Sequence, residues 1–396
     1  MTEIRAWQSW PTSHPCPPRL DGRVFHWGKS WEPRFELAAP GGLVPDEDGG
    51  ASATPTLIPE LSDVVEVSCT PSGYYHGRGR ALGFSCAAVT RAGRLYTWGN
   101  NVCGQLLLPR APRGSRDPRD YFADRPREVA FPPEGGATKA LRVAMGLDYV
   151  AVQCDHADPK TTRVSWAGRF SDNAEPRPLA AAPALDGVRL RALTGGAFHC
   201  CAVSEAGELY TFGDEFGPDE SNGNLLGHGR RATQRGGDGD GVPLFRQRAE
   251  GPHVPRDPRL VADLPPLRAV ACSTYATLAL AVDGRCFSWG DCDGNALGHA
   301  TARPPVDAPR LLASLRGADA VAGALSYTNG AVASKDGHVY CWGGNAWEGG
   351  ICNDRASDAH ADVVARVAWS GVPPCYACKN VALGHNHGFL LFEMRP

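Results

Sequence analysis

Short runs in which apolar and polar residues alternate recur through the chain, and each is bounded by a small turn. The clearest is a turn followed by an alternating strand that ends in an aromatic residue and glycine, at 91–99, 283–290 and 336–343. Weaker copies stand at 21–28 and 206–213, and a degenerate one at 162–168. Alternation of period two in runs this short predicts strands rather than helices. The six copies anchor on Trp27 and Gly28, Trp98 and Gly99, Trp166 and Gly168, Phe212 and Gly213, Trp289 and Gly290, and Trp342 and Gly343.

Other parts keep a constant order around this strand. A glycine-rich segment follows it, at 104–106, 223–227 and 294–298. Then comes Pro-x-x-aliphatic, beginning at Pro55, Pro126, Pro176, Pro258 and Pro309. Two short apolar strands lead into the next copy; 143–146, 270–272, 321–323 and 381–384 read as the first of these, 200–203 and 277–280 as the second. Each unit is therefore a meander of short antiparallel strands, and one such sheet cannot cover both its faces. Radial stacking of copies covers them.

The repeat is circularly cut. The chain opens on the aromatic-Gly strand at 21–28 and closes on the preceding strands at 381–392. The expected fold is all-β: a closed β-propeller of four-stranded antiparallel blades, six repeats detected with room for a seventh, and the ring closed by pairing the N- and C-terminal strands. The expected organisation is an extension at 1–20 and one propeller at 21–396, with loop insertions at 29–54, 107–125 and 228–256.

This order of parts resembles the regulator of chromosome condensation repeat propellers, over roughly residues 21 to 392. Members of that family usually carry seven blades and a Gly-x-x-His turn in most repeats. Here the turn stands at Gly196 to His199 and Gly384 to His387, while other copies bring Tyr149, Tyr275 or Tyr327 nearby. The founding member is a guanine-nucleotide exchange factor for a small GTPase, and a β-hairpin wedge serves that role in exchange factors. Residues 228–256 are long enough for one but lack alternation. Substrate recruitment for a ubiquitin ligase would need a catalytic domain beyond this propeller.

Composition adjusts the picture in a few places. Gly 47 and Pro 33 suit many strands joined by turns, and 42% hydrophobic residues suffice for a core. A net charge of -3 gives no global pull toward nucleic acid or anionic membrane. No apolar run is long enough to cross a bilayer and 1–20 has no signal-peptide pattern, so an intracellular location is expected, the cytoplasm ahead of nucleus or organelle. The 14 cysteines sit on apolar alternations as in core thiols.

No catalytic motif, phosphate loop or dinucleotide fingerprint occurs, so no catalytic residue, cofactor or metal ligand is assigned. Cys375, Cys378, His385 and His387 have zinc-ligand chemistry at unsuitable spacing, and core thiols beside a turn histidine explain them better. Residues 291–295 and 238–241 hold only fragments of a calcium loop. The arginines are more informative. Arg110, Arg113, Arg116 and Arg119 lie in one insertion among Asp117, Asp120 and Asp124; Arg230, Arg231, Arg235, Arg246 and Arg248 lie in another. Guanidinium groups suit carboxylates or phosphates, so an acidic protein or an RNA backbone is a candidate partner against the alternative of a self-paired solvated loop. The expected function is a non-catalytic scaffold that binds a protein or ribonucleoprotein through a loop-bearing face. A small GTPase or a component of a larger assembly is a candidate partner, and nucleotide exchange is the alternative function.

Overall fold

The structure is a computed structural model. It describes residues 23–29, 35–38, 42–45, 51–71, 85–109, 121–130, 137–156, 162–170, 176–215, 224–229, 256–291, 296–299, 306–343, 361–366, 376–383 and 388–394. By contact these fall into two compact units, one from Met1–Thr70, Tyr74–Arg169 and Pro176–Val188, the other from Pro71–Gly73, Phe170–Glu175 and Arg189–Pro396.

In the first unit, β1 (Phe25–Lys29) is followed by a hairpin of β2 (Phe35–Ala38) and β3 (Gly42–Pro45), and then by β4 (Ala51–Leu57), which pairs with β1. The hairpin lies inside the insertion at 29–54. A four-stranded sheet follows, in the order β5 (Val64–Cys69), β6 (Ser85–Thr90), β7 (Leu95–Asn100), β8 (Phe122–Glu128). The next is β9 (Ala137–Met145), β10 (Asp148–His156), β11 (Thr162–Arg169), β12 (Arg177–Ala181).

The second unit repeats the plan in three four-stranded sheets. The first has β13 (Leu190–Gly195), β14 (His199–Ser204), β15 (Leu209–Gly213) and β16 (Arg256–Leu260). The second has β17 (Leu267–Cys272), β18 (Ala276–Ala281), β19 (Cys286–Gly290) and β20 (Val306–Leu311). The third has β21 (Ala320–Leu325), β22 (Asn329–Ser334), β23 (Val339–Gly343) and β24 (Ala361–Arg366). β25 (Tyr376–Leu383) and β26 (Gly388–Met394) form a final antiparallel pair.

In each of the five four-stranded sheets the aromatic-Gly segment, or its degenerate copy at 162–168, is the third strand, and where a proline-bearing segment follows it that segment is the outermost. Proline has no N–H to donate, so an edge strand is where a sheet tolerates it. The aliphatic residue of each proline segment tucks inward: the Val129 amide donates to Leu95 O, that of Val261 to Leu209 O and that of Leu312 to Cys286 O, each at 2.8 Å. The degenerate copy departs from this. Leu179 is 36% exposed, and Ala182 takes the buried place through its bond to Val164 O.

The same copy also shifts its aromatic residue. Trp98 faces Cys86, Phe212 faces Cys200 and Trp289 faces Thr277, each one position before the glycine that opposes the start of the second strand. In the degenerate sheet Gly168 opposes Tyr149, and Ala167 occupies the tryptophan position; Trp166 sits one place earlier, where other sheets carry Thr97, Thr211 or Ser288.

The glycine after the aromatic residue has a definite geometric cause. Gly290 has φ 109°, a region an L-residue seldom adopts, and a Cβ there would overlap the Tyr275 carbonyl oxygen. The ladder to the outer strand shifts register between Ser288 and Gly290, so the glycine marks a bulge where the third strand bends under the first turn of its own sheet.

Candidate functional site

In a four-stranded meander the first and third connections leave from the same end, and the second from the opposite end. The registers show it. Gly195 opposes Cys200, His199 opposes Gly213 and Gly213 opposes Arg256, so the 196–198 turn and the 214–255 connection share an end. The sheet of β5 to β8 repeats this, with Ser85 opposite Gly99 and Gly99 opposite Ala123. The insertions at 107–125 and 228–256 therefore leave from the end of their sheets that carries the first turns. The structure trims their borders, because β8 begins at Phe122 and β16 at Arg256. Arg110, Arg113, Arg116, Arg119, Arg230, Arg231, Arg235, Arg246 and Arg248 lie outside the described residues.

The start of the longer insertion is fixed firmly. Leu225 N donates to Glu215 O at 2.8 Å, and Asn224 Nδ2 donates to Gly229 O at 2.9 Å. The outer strand of the next sheet holds the same turn, with Asp307 Oδ1 accepting from Asn224 N and Asp307 O from Gly229 N. Beneath it, Thr211 Oγ1 donates to Leu226 O at 2.7 Å. That spends its only proton, so its lone pairs take the His228 Nε2 proton at 3.1 Å. Ser288, Leu297 and His299 repeat this arrangement at 2.7 and 3.0 Å. Desolvation, with Arg310 nearby, lowers the His299 pKa to about 4; desolvation lowers that of His228 also, aided by Arg259 and opposed by Glu215.

At this end of the second unit, the first turns of three successive sheets bring an aromatic row together. Phe198 stacks on Tyr275 with centroids 5.5 Å apart and planes 11° apart, and Tyr275 meets Tyr327 edge-on at 6.0 Å. Phe198 is buried, while Tyr275 and Tyr327 are half-buried. The register sorts what the sequence left as merely nearby. Tyr149 is the counterpart of His199, opposite Gly168 as His199 is opposite Gly213, whereas Tyr275 is the counterpart of Phe198.

In the first unit the corresponding end holds a buried ion pair, which the sequence reading missed. Arg169 follows the bulge glycine Gly168, and its Nε and Nη2 both reach Asp148 Oδ2, at 2.8 and 2.6 Å. Two fully formed charges under 10% exposed are costly unless paired closely, so this pair fixes the turn that carries Asp148. Their separation of 21 residues gave no signal of pairing in the sequence.

One cluster of metal-ligand types is assembled from separate strands. His199 and Cys201 project from the same face of β14, and Cys272 comes from β17 of the adjoining sheet. Their ligand atoms lie within 4.8 Å of one another and all three residues are buried. Burial pulls the His199 pKa down to about 4 and pushes the Cys272 thiol well up. Among the described residues ten cysteines are unbridged, nine of them buried. Of the group Cys375, Cys378, His385 and His387, only Cys378 is described; its thiol contacts Asn380 O at 3.3 Å. Residues 238–241 and 292–295 lie outside the described residues.

A family model described as Regulator of chromosome condensation (RCC1) repeat matches residues 64–105, which span β5 to β7 and the glycine-rich segment after them. The chain carries a regulator of chromosome condensation repeat over that stretch. It is 24% identical over 326 residues to human E3 ubiquitin-protein ligase HERC2, an alignment covering 79% of this chain and 6% of that protein. Human WBSCR16 superposes with a TM-score of 0.66 at 18% identity, covering 94% of this chain and 86% of the other. Yeast RCC1 (Prp20), seen bound to Kap60, gives 0.61 at 16% identity, covering 98% and 84%. These likenesses establish the propeller fold of the family, all-β with four-stranded antiparallel blades. Because the chain spans about a twentieth of HERC2, nothing of that protein's ligase activity carries over with the alignment. Among the described residues no helix is long and apolar enough to cross a membrane.

Proposed function

We propose that this chain is a non-catalytic protein-binding propeller that recognises its partner with the insertion-bearing ends of its blades. The observation that carries this reading is the mooring of the 230–255 insertion. Its first residues leave a turn bonded both to its own sheet and to Asp307 of the next, at the end that carries the half-buried Tyr275 and Tyr327. A long loop on a rigid frame beside aromatic anchors has the makings of a recognition surface. The solved structures support a protein as partner. One holds yeast RCC1 together with Kap60, and another is described with the binding of Prp20p to Gsp1p and histones. The net charge of -3 favours a protein over an RNA backbone, with the insertion arginines reading acidic side chains.

The test replaces 230–255 with a short Gly-Ser link, and in a second variant converts Arg230, Arg231 and Arg235 to Glu. Both should keep the fold, because closing a shorter loop costs little. Partners recovered with the native chain should be lost from the first variant, and from the second more severely at low ionic strength. Full recovery by the loopless chain overturns the reading. Binding properties toward the GTPase Gsp1p are recorded for Prp20p, which brings nucleotide exchange forward as the second reading. Accelerated nucleotide release from a co-purified GTPase would place that reading ahead of the scaffold.

A further inference from the structure

We propose that His199, Cys201 and Cys272 form a buried binding site for a thiophilic divalent metal ion, zinc by its chemistry, that staples two neighbouring sheets. The site is independent of the partner-binding surface. His199 and Cys201 stand on one face of β14, and Cys272 stands opposite Thr277 on the facing side of the next sheet. Thr277 Oγ1 lies 2.8 Å from His199 Nε2 and 3.9 Å from Cys201 Sγ, so an oxygen donor completes a set of one nitrogen, two sulfurs and one oxygen. Tetrahedral arms of about 2.0–2.3 Å place donors roughly 3.3–3.8 Å apart. Donors already within 4.8 Å of one another therefore close on a central ion by small side-chain movements.

The repeat supplies an internal control. Ladder position makes Ala276 the counterpart of His199, Leu278 of Cys201 and Leu325 of Cys272, and those three pack in an apolar cluster between the next two sheets. In the first unit, Ser85, Ala87 and Met145 take the positions of His199, Cys201 and Cys272; Ala87 and Met145 again lie in an apolar cluster, and Ser85 Oγ donates to Asn100 O. Packing between sheets is thus satisfied there without a set of metal ligands. Only one described interface holds a matched set of soft ligands.

Charge selects the ion. Binding releases one proton from each thiol and uses His199 as neutral imidazole, so two thiolates around a divalent cation leave the buried site uncharged. A monovalent ion would leave one negative charge in a dry interior.

The full-length chain should be refolded from denaturant with equimolar Co2+ in a non-chelating reductant, since the site is buried and is filled as the chain folds. The expected result is thiolate-to-metal charge-transfer absorption with tetrahedral d–d bands, at about one ion per chain, displaced by Zn2+. Cys272→Ser should reduce the signal at least tenfold, and His199→Gln should do the same, while Cys86→Ser should leave it unchanged. X-ray absorption of the zinc-loaded native chain should find two sulfur neighbours near ~2.3 Å, and that measurement stands even if the variants fold poorly. Absence of thiolate absorption in the native chain overturns the site. So does a signal that survives Cys272→Ser, which would move the ion to another set such as Cys375 and Cys378. Recovery of a Cys201 to Cys272 disulfide overturns it as well.

Discussion

The indole Nε1 of Trp289 donates to the carbonyl of Leu225 at 3.1 Å, binding the aromatic anchor of one blade to the glycine-rich segment of the blade before it. Trp342 does the same to Ala296 O at 2.7 Å. Gly227 and Gly298, two residues beyond each acceptor, lie against the same indoles, where a Cβ would come within 2.7 and 2.9 Å of Nε1. The glycine-rich segment is therefore shaped to receive the next blade's tryptophan. Both tryptophans are fully buried.

Trp289→Ala should cost roughly 3–5 kcal/mol, as truncation of a large core aromatic does. Trp289→Phe should cost less, about 1–3 kcal/mol, because it keeps most of the apolar burial but leaves Leu225 O without its donor. Trp166→Ala should be milder than Trp289→Ala, since Ala167 holds the anchor position in that blade. Denaturant midpoints measure all three, and equal losses at Trp166 and Trp289 would contradict the register argument.

Acid should destabilise the fold before it protonates the carboxylates. An unfolded histidine takes up its proton near 6.5, whereas His299 in the fold does so only near 4. Between those values the unfolded chain binds more protons, so stability is fully present above about pH 6.5 and drains away as pH falls toward 4. His228 acts in the same direction. His299→Gln should flatten the slope of unfolding midpoint against pH in this window, and an unchanged slope would remove His299 as its source.

Breaking the pair between Asp148 and Arg169 should be far worse than replacing it. Asp148→Asn leaves the guanidinium buried without its counter-charge, at a cost of about 3–5 kcal/mol. The double variant Asp148→Leu with Arg169→Met should recover part of that loss. A double-mutant cycle by thermal unfolding gives the coupling, and additive losses would mean the two charges act independently.

Much of this architecture was legible because the repeat writes the same physical requirement several times. The proline segments announce outer strands, and the glycine after each aromatic residue announces a bulge. Legibility failed where one copy drifted: Trp166 resembles the other tryptophans by spacing, and Leu179 the other aliphatics, yet the ladder puts Ala167 and Ala182 in their places. The site residues were harder to see for another reason. Asp148 with Arg169, Phe198 with Tyr275, and His199 with Cys272 are contacts between strands or between sheets, and a linear pattern carries the period of one strand only. Composition could point to the arginine-rich loops, but the mooring of the longer loop by Asp307 lies 83 residues from Asn224 and is visible only in three dimensions.

The aromatic row gives a sharper test of the recognition surface than the loop alone. Tyr275 and Tyr327 are half-buried, and the turns that carry them are held by backbone and side-chain hydrogen bonds of Ser273, Ser326 and Asn329. Truncating both rings should therefore cost modest stability, on the order of 1 kcal/mol each, while removing two of the large rigid side chains that carry binding energy at interfaces. The Tyr275→Ala, Tyr327→Ala variant should fold with a native far-ultraviolet spectrum and a slightly lower melting temperature, and lose at least about tenfold in affinity for a partner captured by the native chain. Because the rings are uncharged, that loss should not depend on salt, in contrast to the charge reversal at Arg230, Arg231 and Arg235. Titrations of one partner against both variants at two ionic strengths separate the contributions, and a double-tyrosine variant that binds as tightly as the native chain would confine recognition to the loop.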